Sequence, residues 1–250
     1  VNVDYPEERT MQLTKSLSRT PTPVLISRFA RLEIGGLGRK IARAFGYRRP
    51  DNIAIEEIKI PDTQLALDAT ELVEACSPQF LVNHSIRTYC FGVAIARQLD
   101  IKADMEVFYL SSIMHDLGLV DPHDKSEGSF EVVGADVAQS FMLEKGASQE
   151  KADLVHEAIA LHSAVGIAAK REAEIVLVHY GAGVDVIGFR AEDISSETRD
   201  AIVNAYPRLD FKQAFIPLLK TQVDNKPQCH IAGHYSLGFA GKIKAAPFVE

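Results

Sequence analysis

The stretch that most constrains the fold is the apolar run of residues 108–118, which ends in His115-Asp116-Leu117-Gly118. A helix that is apolar on nearly every face is normally buried, so polar groups at its end need partners in the interior. Glycine commonly follows the last residue of a helix, which predicts that this helix stops at Gly118. The stretch therefore predicts either a metal site or a hydrogen-bonded core histidine beside a capping aspartate.

The composition indicates a soluble globular protein. The chain has 250 residues, of which 46% are hydrophobic, enough for a substantial core. It has no apolar run of the ~20 residues that a membrane span requires, and its first residues do not resemble a secretory signal. The three cysteines, Cys76, Cys90 and Cys229, lack Cys-x-x-Cys spacing, so we expect reduced thiols and a cytoplasmic location.

Charge is distributed unevenly along the chain. Residues 21–50 contain seven basic side chains and one acidic one, whereas the net charge of the whole chain is −7. The remainder is therefore strongly acidic, which excludes a nucleic-acid-binding surface on it because phosphate backbones require Lys and Arg.

The chain divides into three predicted parts: a leader and basic arm (1–60), a helical core (61–225) and an irregular tail packed on the core (226–250). Pro21 and Pro23 indicate an extended segment. After them, two short amphipathic helices are expected, hinged at Gly35-Gly36. The arm is expected to pack on the acidic body or on a second subunit of a homo-oligomer, with a membrane-surface helix as the alternative.

A single apolar stripe runs along the helix predicted from residue 79 to about 99. Phe80, His84, Thr88, Phe91 and Ile95 recur at helical spacing, which places His84 at the centre of the stripe. A lone histidine on such a face is usually a hydrogen-bonded core residue. Because helices joined by a short connection usually pack antiparallel, however, His84 can face the same interior space as the His-Asp pair.

Two further groups of polar residues include possible metal ligands. Asp185 lies among small and apolar residues of a predicted helix, where it is costly unless paired or coordinating. His179, on the same helix, is turned away from Asp185 and is expected to be structural. Cys229, His230 and His234 have only a superficial likeness to a metal motif, because a fourth ligand is missing.

The order His84, His115-Asp116, Asp185 resembles the HD-domain superfamily of metal-dependent hydrolases, over residues 61 to about 190. The resemblance implies an all-α helical bundle that binds a divalent metal through His84, His115, Asp116 and Asp185. Within the superfamily, residues 60–63, 83–92, 115–118 and 129–134 are similar to the cyanamide hydratase-like branch. Those enzymes use one zinc ion to add water to the carbon–nitrogen triple bond of cyanamide, giving urea.

One departure from the two-metal members of the superfamily favours a single metal here. Those proteins have an extra histidine where this chain has Ser129-Phe130-Glu131, and His162 matches the next extra ligand position. With one bridging histidine absent, His162 is free to hydrogen-bond water or substrate.

The chemistry of such a metal site suggests roles for particular residues. Asp116 is expected to orient water or relay its proton, and His162 to protonate the developing nitrogen anion as well as contact the substrate. Arg87 and Thr88 are candidate substrate contacts, although Arg87 equally suits a salt bridge between helices. Zinc fits the ligand types, which also accommodate iron, manganese or nickel.

Two other functions compete with hydration of a small nitrile. An HD-type phosphohydrolase would act on a nucleotide or another phosphomonoester and would need cationic side chains around the phosphate. A non-catalytic HD module would sense or scaffold through the basic arm. The first alternative predicts several Arg or Lys side chains pointing at the metal, and the nitrile hypothesis predicts a small, apolar, poorly cationic pocket.

Overall fold

The computed structural model describes residues 20–47 and 49–250, and over these residues the fold is all-α, as predicted. It contains eleven α-helices and no strands within this part of the chain. The helices are α1 Thr22–Ala44, α2 Gln64–Cys76, α3 Gln79–Leu99, α4 Met105–Met114, α5 Phe130–Glu144, α6 Gln149–Leu161, α7 Ala173–Ile187, α8 Ser196–Ala205, α9 Phe211–Asn225, α10 His230–Ser236 and α11 Phe239–Lys244.

Helices α3 and α7 form the centre of the fold and approach each other closely at two glycines. A Cβ atom on Gly181 would lie 2.0 Å from the Thr88 carbonyl oxygen of α3, and one on Gly92 would lie 3.0 Å from the Leu177 carbonyl oxygen of α7. A larger residue at either position would push the helices apart. This close approach brings His84 of α3 and Asp185 of α7 into contact.

Helix α4 is buried over nearly its whole length, as its apolar sequence predicts. Asp104 caps its N-terminus by accepting hydrogen bonds from the backbone N–H groups of Glu106 and Val107. The predicted end at Gly118 is wrong, because the helix ends at Met114 and Gly118 lies in a short 3₁₀ turn. Gly118 is required there for a different reason: a Cβ atom would lie 2.1 Å from the Phe130 carbonyl oxygen of α5.

The arm differs from its predicted form. Helix α1 is continuous through Gly35-Gly36 and begins at Thr22, with Pro23 in its first turn, where a missing N–H costs no hydrogen bond. Its inner face is held by ion pairs from Arg39 to Glu192 and from Arg43 to Asp193. These contacts offset the helix-weakening effect of the glycines. The predicted leader up to residue 19, and Arg48, lie outside the described residues.

The C-terminal segment is also more ordered than expected. The prediction of an irregular tail is wrong for residues 230–236 and 239–244, which form α10 and α11. Buried side chains of α10, including Ile231 and His234, anchor this segment on the core. The division at residues 60 and 225 stays a prediction. None of the helices described combines the length and apolar character needed to cross a membrane.

Candidate metal centre

Two histidines from different helices meet in the buried centre of the fold. The Nε2 atoms of His84 and His115 lie 3.2 Å apart. His84 belongs to α3, and His115 directly follows the last residue of α4. The antiparallel neighbours predicted from the sequence therefore bring these two residues together.

The other ring nitrogen of each histidine is already engaged as a donor. His115 Nδ1 donates to the Ser112 carbonyl oxygen at 2.7 Å, and His84 Nδ1 donates to the Asp185 carboxylate at 2.7 Å. A neutral imidazole that donates from Nδ1 carries a lone pair on Nε2. Two lone pairs therefore face each other across a short gap.

Asp116 adds a third electron-rich atom to this gap. Its Oδ2 lies 3.3 Å from His115 Nε2 and 3.5 Å from His84 Nε2. This oxygen is buried and has no hydrogen-bond partner among the described residues. Burial raises the pKa of the Asp116 carboxyl above its ordinary value, so a nearby positive charge is needed to keep it ionised.

This donor set fits a divalent cation. One ligand atom from each of His84, His115 and Asp116 lies within 4.8 Å of the others. Burial, together with the neighbouring His84, lowers the pKa of His115 to about 3, so at neutral pH this imidazole does not supply a proton to the gap. Two imidazoles and a carboxylate with further positions open are a typical ligand set of a catalytic metal site.

The fourth predicted ligand, Asp185, lies outside this three-residue cluster, and its role as a direct ligand stays a prediction. Its carboxylate accepts hydrogen bonds from His84 Nδ1, from Arg87 Nε and Nη2, and from Arg208 Nη1, at 2.7 to 2.8 Å. His84 uses Nδ1 for its contact with Asp185 and Nε2 for the gap that it shares with His115. Asp185 therefore fixes the orientation and tautomer of a ligand.

Asp185, Arg87 and Arg208 form a buried charge cluster. All three are fully buried, and Arg87 makes a bidentate pair with the carboxylate. Burial alone would raise the pKa of Asp185, but the two guanidinium groups and His84 outweigh it and hold the pKa well below the usual range. The charge cluster therefore stays ionised and keeps Asp185 an acceptor.

Neither proposed substrate contact on α3 belongs to the His84–His115–Asp116 cluster. Arg87 also donates to the carbonyl oxygens of Tyr206 and Pro207, which makes it the inter-helix anchor that the sequence left as an alternative. Thr88 is fully buried, and its carbonyl oxygen lies against Gly181 of α7. The assignment of Arg87 and Thr88 as substrate-binding residues is therefore not supported by their contacts.

A small cavity opens beside the cluster. It has about 70 Å³ open to water-sized molecules, and His84, His115, Asp116 and His162 contribute to its wall. The rest of the wall is mostly apolar, with Phe29 and Leu32 of α1 closing one side. No Lys or Arg of residues 20–47 or 49–250 lines it.

His162 lines this cavity. The predicted role has it donate a proton, whereas the nitrogen left free here, Nε2, carries none. Its ring centroid is 4.9 Å from that of His115, and its Nδ1 donates to the Ile159 carbonyl oxygen at 2.6 Å. Burial and the neighbouring His115 lower the pKa of His162 to about 4, so it is neutral at pH 7. As a neutral ring with a free Nε2, it can take a proton first and donate it only afterwards.

Two further histidines, which were not predicted to be part of the site, lie in the cavity wall. His179 of α7 and His234 of α10 both line the cavity, and both are buried. His179 was expected to be structural, and His234 was dismissed with its neighbours as a chance metal motif. No metal cluster forms there among the described residues, but the apolar neighbours that suggested a core role in fact form a cavity.

Comparison with known proteins agrees with this site. The sequence model of the HD-domain family matches residues 81–201, which contain all four predicted ligands. Two proteins of Saccharomyces cerevisiae (strain ATCC 204508 / S288c), cyanamide hydratases DDI2 and DDI3, are each 28% identical to the chain over 171 residues. The matched region covers 65% of this chain and 74% of each relative. The family match, the helical fold and the His84–His115–Asp116 cluster together support an HD-domain protein near the cyanamide hydratase branch.

Proposed function

We propose that this HD-domain protein is a metal-dependent hydratase that adds water to cyanamide or a related small nitrile to give urea or its analogue. The observation that carries the proposal is the cavity beside the metal centre, which is small and has no Lys or Arg among the described residues of its wall. One water molecule needs roughly 10–15 Å³ by the same measure, so the space suits a ligand of a few non-hydrogen atoms. The relatives' activity supports the same substrate class.

The cavity argues against the phosphohydrolase alternative. A phosphate group in a buried site needs cationic donors, and Arg is the side chain best suited to that task. The two arginines nearest the metal centre, Arg87 and Arg208, are committed to Asp185 behind His84. A phosphomonoester would therefore meet an apolar wall and neutral imidazoles.

The metal, when bound by His84, His115 and Asp116, would supply Lewis acidity that polarises the substrate and lowers the pKa of a water molecule. Zinc fits this role and this ligand set, and it is the metal that we propose. We assign the orientation of the attacking water to Asp116, and the buried carboxylate oxygen that faces the cluster without another partner supports this role.

We assign the proton transfer to His162. Its free Nε2 takes a proton from water as the oxygen bonds to the nitrile carbon and one carbon–nitrogen π bond breaks. The same nitrogen then returns that proton to the substrate nitrogen. The resulting isourea shifts a proton from oxygen to nitrogen to become urea, so that one water is consumed and His162 ends neutral, as it began.

The test combines metal analysis with activity assays on the full chain. Purified protein is stripped with a chelator and reloaded with zinc, iron, manganese or nickel. Urea release from cyanamide is then measured beside phosphate release from p-nitrophenyl phosphate and a nucleoside monophosphate. We expect urea release that depends on metal, and no phosphate release.

The variant Asp116→Ala should lose urea release while remaining folded, because it removes a buried carboxylate that lacks a partner. Asp136→Ala, at an exposed aspartate, is the matched control and should retain full activity. Phosphate release without urea release would establish the phosphohydrolase instead. Bound metal with neither product would favour the non-catalytic module.

A further inference from the structure

The proton positions on two cavity histidines specify what kind of substrate the wall can bind. His162 Nδ1 and His179 Nδ1 each lie within 2.7 Å of a backbone carbonyl oxygen, that of Ile159 and that of His162 respectively. A carbonyl oxygen only accepts hydrogen bonds, so each Nδ1 must carry a proton. In a neutral ring, the remaining Nε2 is then an acceptor without a proton.

The His179 ring is neutral at physiological pH, because burial lowers its pKa below the ordinary value. The Nε2 atoms of His162 and His179 have no hydrogen-bond partner among the described residues, and both residues line the cavity. The wall therefore offers these two acceptors to a ligand, beside the buried and unpartnered Nε2 of His234.

Donors are scarce on the same wall. The Ser163 hydroxyl, which also lines the cavity, donates to the buried carboxylate of Glu131 at 2.8 Å. No guanidinium or ammonium group of the described chain reaches the cavity. A ligand without N–H or O–H groups would leave the acceptors buried and unpaired, which costs binding free energy.

We propose that His179 Nε2 accepts a hydrogen bond from a substrate N–H group, so that the site selects nitriles that carry an N–H beside the nitrile carbon. His162 is the proton carrier of the proposed reaction, and His179 is the specificity residue. The preferred substrates are cyanamide and its singly N-substituted derivatives, whereas N,N-dialkylcyanamides and alkyl nitriles are rejected. This inference rests on the proposed hydration activity and goes further by specifying the substrate class.

The wild-type protein alone gives the first test. We would measure kcat/KM for cyanamide, N-methylcyanamide and N,N-dimethylcyanamide by following release of the corresponding ureas, with acetonitrile as an N–H-free molecule the size of cyanamide. Losing one hydrogen bond to a buried acceptor should lower kcat/KM by about 10- to 100-fold. The large step is expected between N-methylcyanamide and N,N-dimethylcyanamide, because only the second lacks an N–H.

Two variants separate hydrogen bonding from cavity size. His179→Leu removes the acceptor and should lower kcat/KM for cyanamide about 10- to 100-fold while leaving that for N,N-dimethylcyanamide nearly unchanged. His179→Gln keeps an acceptor near the position of Nε2 and should restore most of the preference. His156→Gln, at a partly exposed histidine paired with Asp136, is the control and should match the wild type.

Each outcome decides between the claims. Turnover of N,N-dimethylcyanamide within about threefold of cyanamide by the wild type, or an equal loss on both substrates in His179→Leu, would overturn the role of His179 while leaving the hydratase proposal intact. Absence of turnover of every nitrile by the metal-loaded wild type would overturn the hydratase proposal, and this inference with it.

Discussion

His84 separates two buried regions that treat polar groups in opposite ways. Behind it lies the charge cluster, in which the Asp185 carboxylate has hydrogen-bond donors from Arg87, Arg208 and His84 itself. In front of it lies the cavity, where His162 and His179 are neutral and Asp116 Oδ2 has no partner among the described residues. The charge cluster contains ionised groups that are paired. The cavity contains polar groups without a partner and without a compensating cation.

This difference distinguishes groups that hold the site from groups that act in it. Paired charges in the interior have fixed positions, because breaking a pair leaves an uncompensated charge. They can therefore hold His84 in one tautomer and direct its lone pair at the cluster. Unpaired acceptors remain available to a metal, a water molecule or a substrate. Buried polarity alone thus does not identify a functional residue here. In this site, the proposed functional groups combine an unpartnered polar atom with a position in the cavity wall.

The largest effect on stability is expected for Asp185→Asn, which tests whether the charge cluster depends on its paired charges. The substitution leaves the Arg87 guanidinium buried without an anion and removes one of the two carboxylates that pair with Arg208, the other being Glu250. It should lower the free energy of unfolding by about 3–5 kcal/mol. Urea denaturation followed by circular dichroism measures the change. Asp136→Asn, at an exposed aspartate, should change it by less than about 0.5 kcal/mol. A loss below about 1 kcal/mol in Asp185→Asn would show that the charge cluster does not depend on this carboxylate.

The second prediction concerns the front of the site. His162→Leu removes the proton carrier and should lower kcat for cyanamide hydration by at least about 100-fold, or about 3 kcal/mol in the barrier. Metal content should stay as in the wild type, because His162 lies outside the three-residue cluster. Retention of more than a tenth of the wild-type kcat would remove His162 from the proton path.

The parts of this site that follow from a local sequence pattern could be predicted. The apolar sequence of α4 predicts its burial, and the stripe on α3 places His84 opposite the His115-Asp116 pair. The donors to Asp185 could not be predicted in the same way. Arg208 lies just before Leu209 and Asp210, which have positive φ values, in a connection with no periodic pattern. Its approach to α7 is determined by tertiary packing.

Two other misses have the same physical origin. Helix α1 continues through Gly35-Gly36 because Arg39 and Arg43 pair with acids about 150 residues away. Helix propensity depends on the local sequence alone and cannot predict such distant partners. His179 lies on a helix whose apolar neighbours are equally compatible with a packed core. Whether such neighbours enclose a cavity depends on the distance to other helices, which the sequence does not state.

The third prediction uses pH to compare the buried histidines with an unfolded chain. The pKa values of His115 and His162 are about 3 and about 4, below the ordinary 6.5, so the unfolded state binds protons first as the pH falls. Stability contributed by these neutral rings is therefore present above pH 6.5 and is lost on acidification toward pH 4. From pH 7 to pH 5, each should cost about 2 kcal/mol in the metal-free protein.

Urea denaturation at both pH values, with chelator present, checks this loss. His162→Leu should reduce the difference between the two pH values by about 2 kcal/mol, whereas His156→Gln should not. Asp116 acts in the opposite direction, because its raised pKa favours the folded state at lower pH. An unchanged pH dependence in His162→Leu would mean that its imidazole is as easily protonated in the folded protein as in the unfolded chain.

The smallest loss of stability is expected when an ion pair at the surface is broken. Arg39 pairs with Glu192 at 2.8 Å, but the Arg39 side chain is 27% exposed, whereas Arg87 in the charge cluster is not exposed at all. Solvent and salt screen the exposed pair, so Glu192→Gln should lower the free energy of unfolding by no more than about 1 kcal/mol. Raising NaCl to about 1 M should shrink this difference, because the screening length falls to about 3 Å. The effect of Asp185→Asn should persist in the same salt, because ions do not reach the interior. Equal salt sensitivity of the two variants would mean that water enters the charge cluster, and burial would then no longer explain why its charges are fixed.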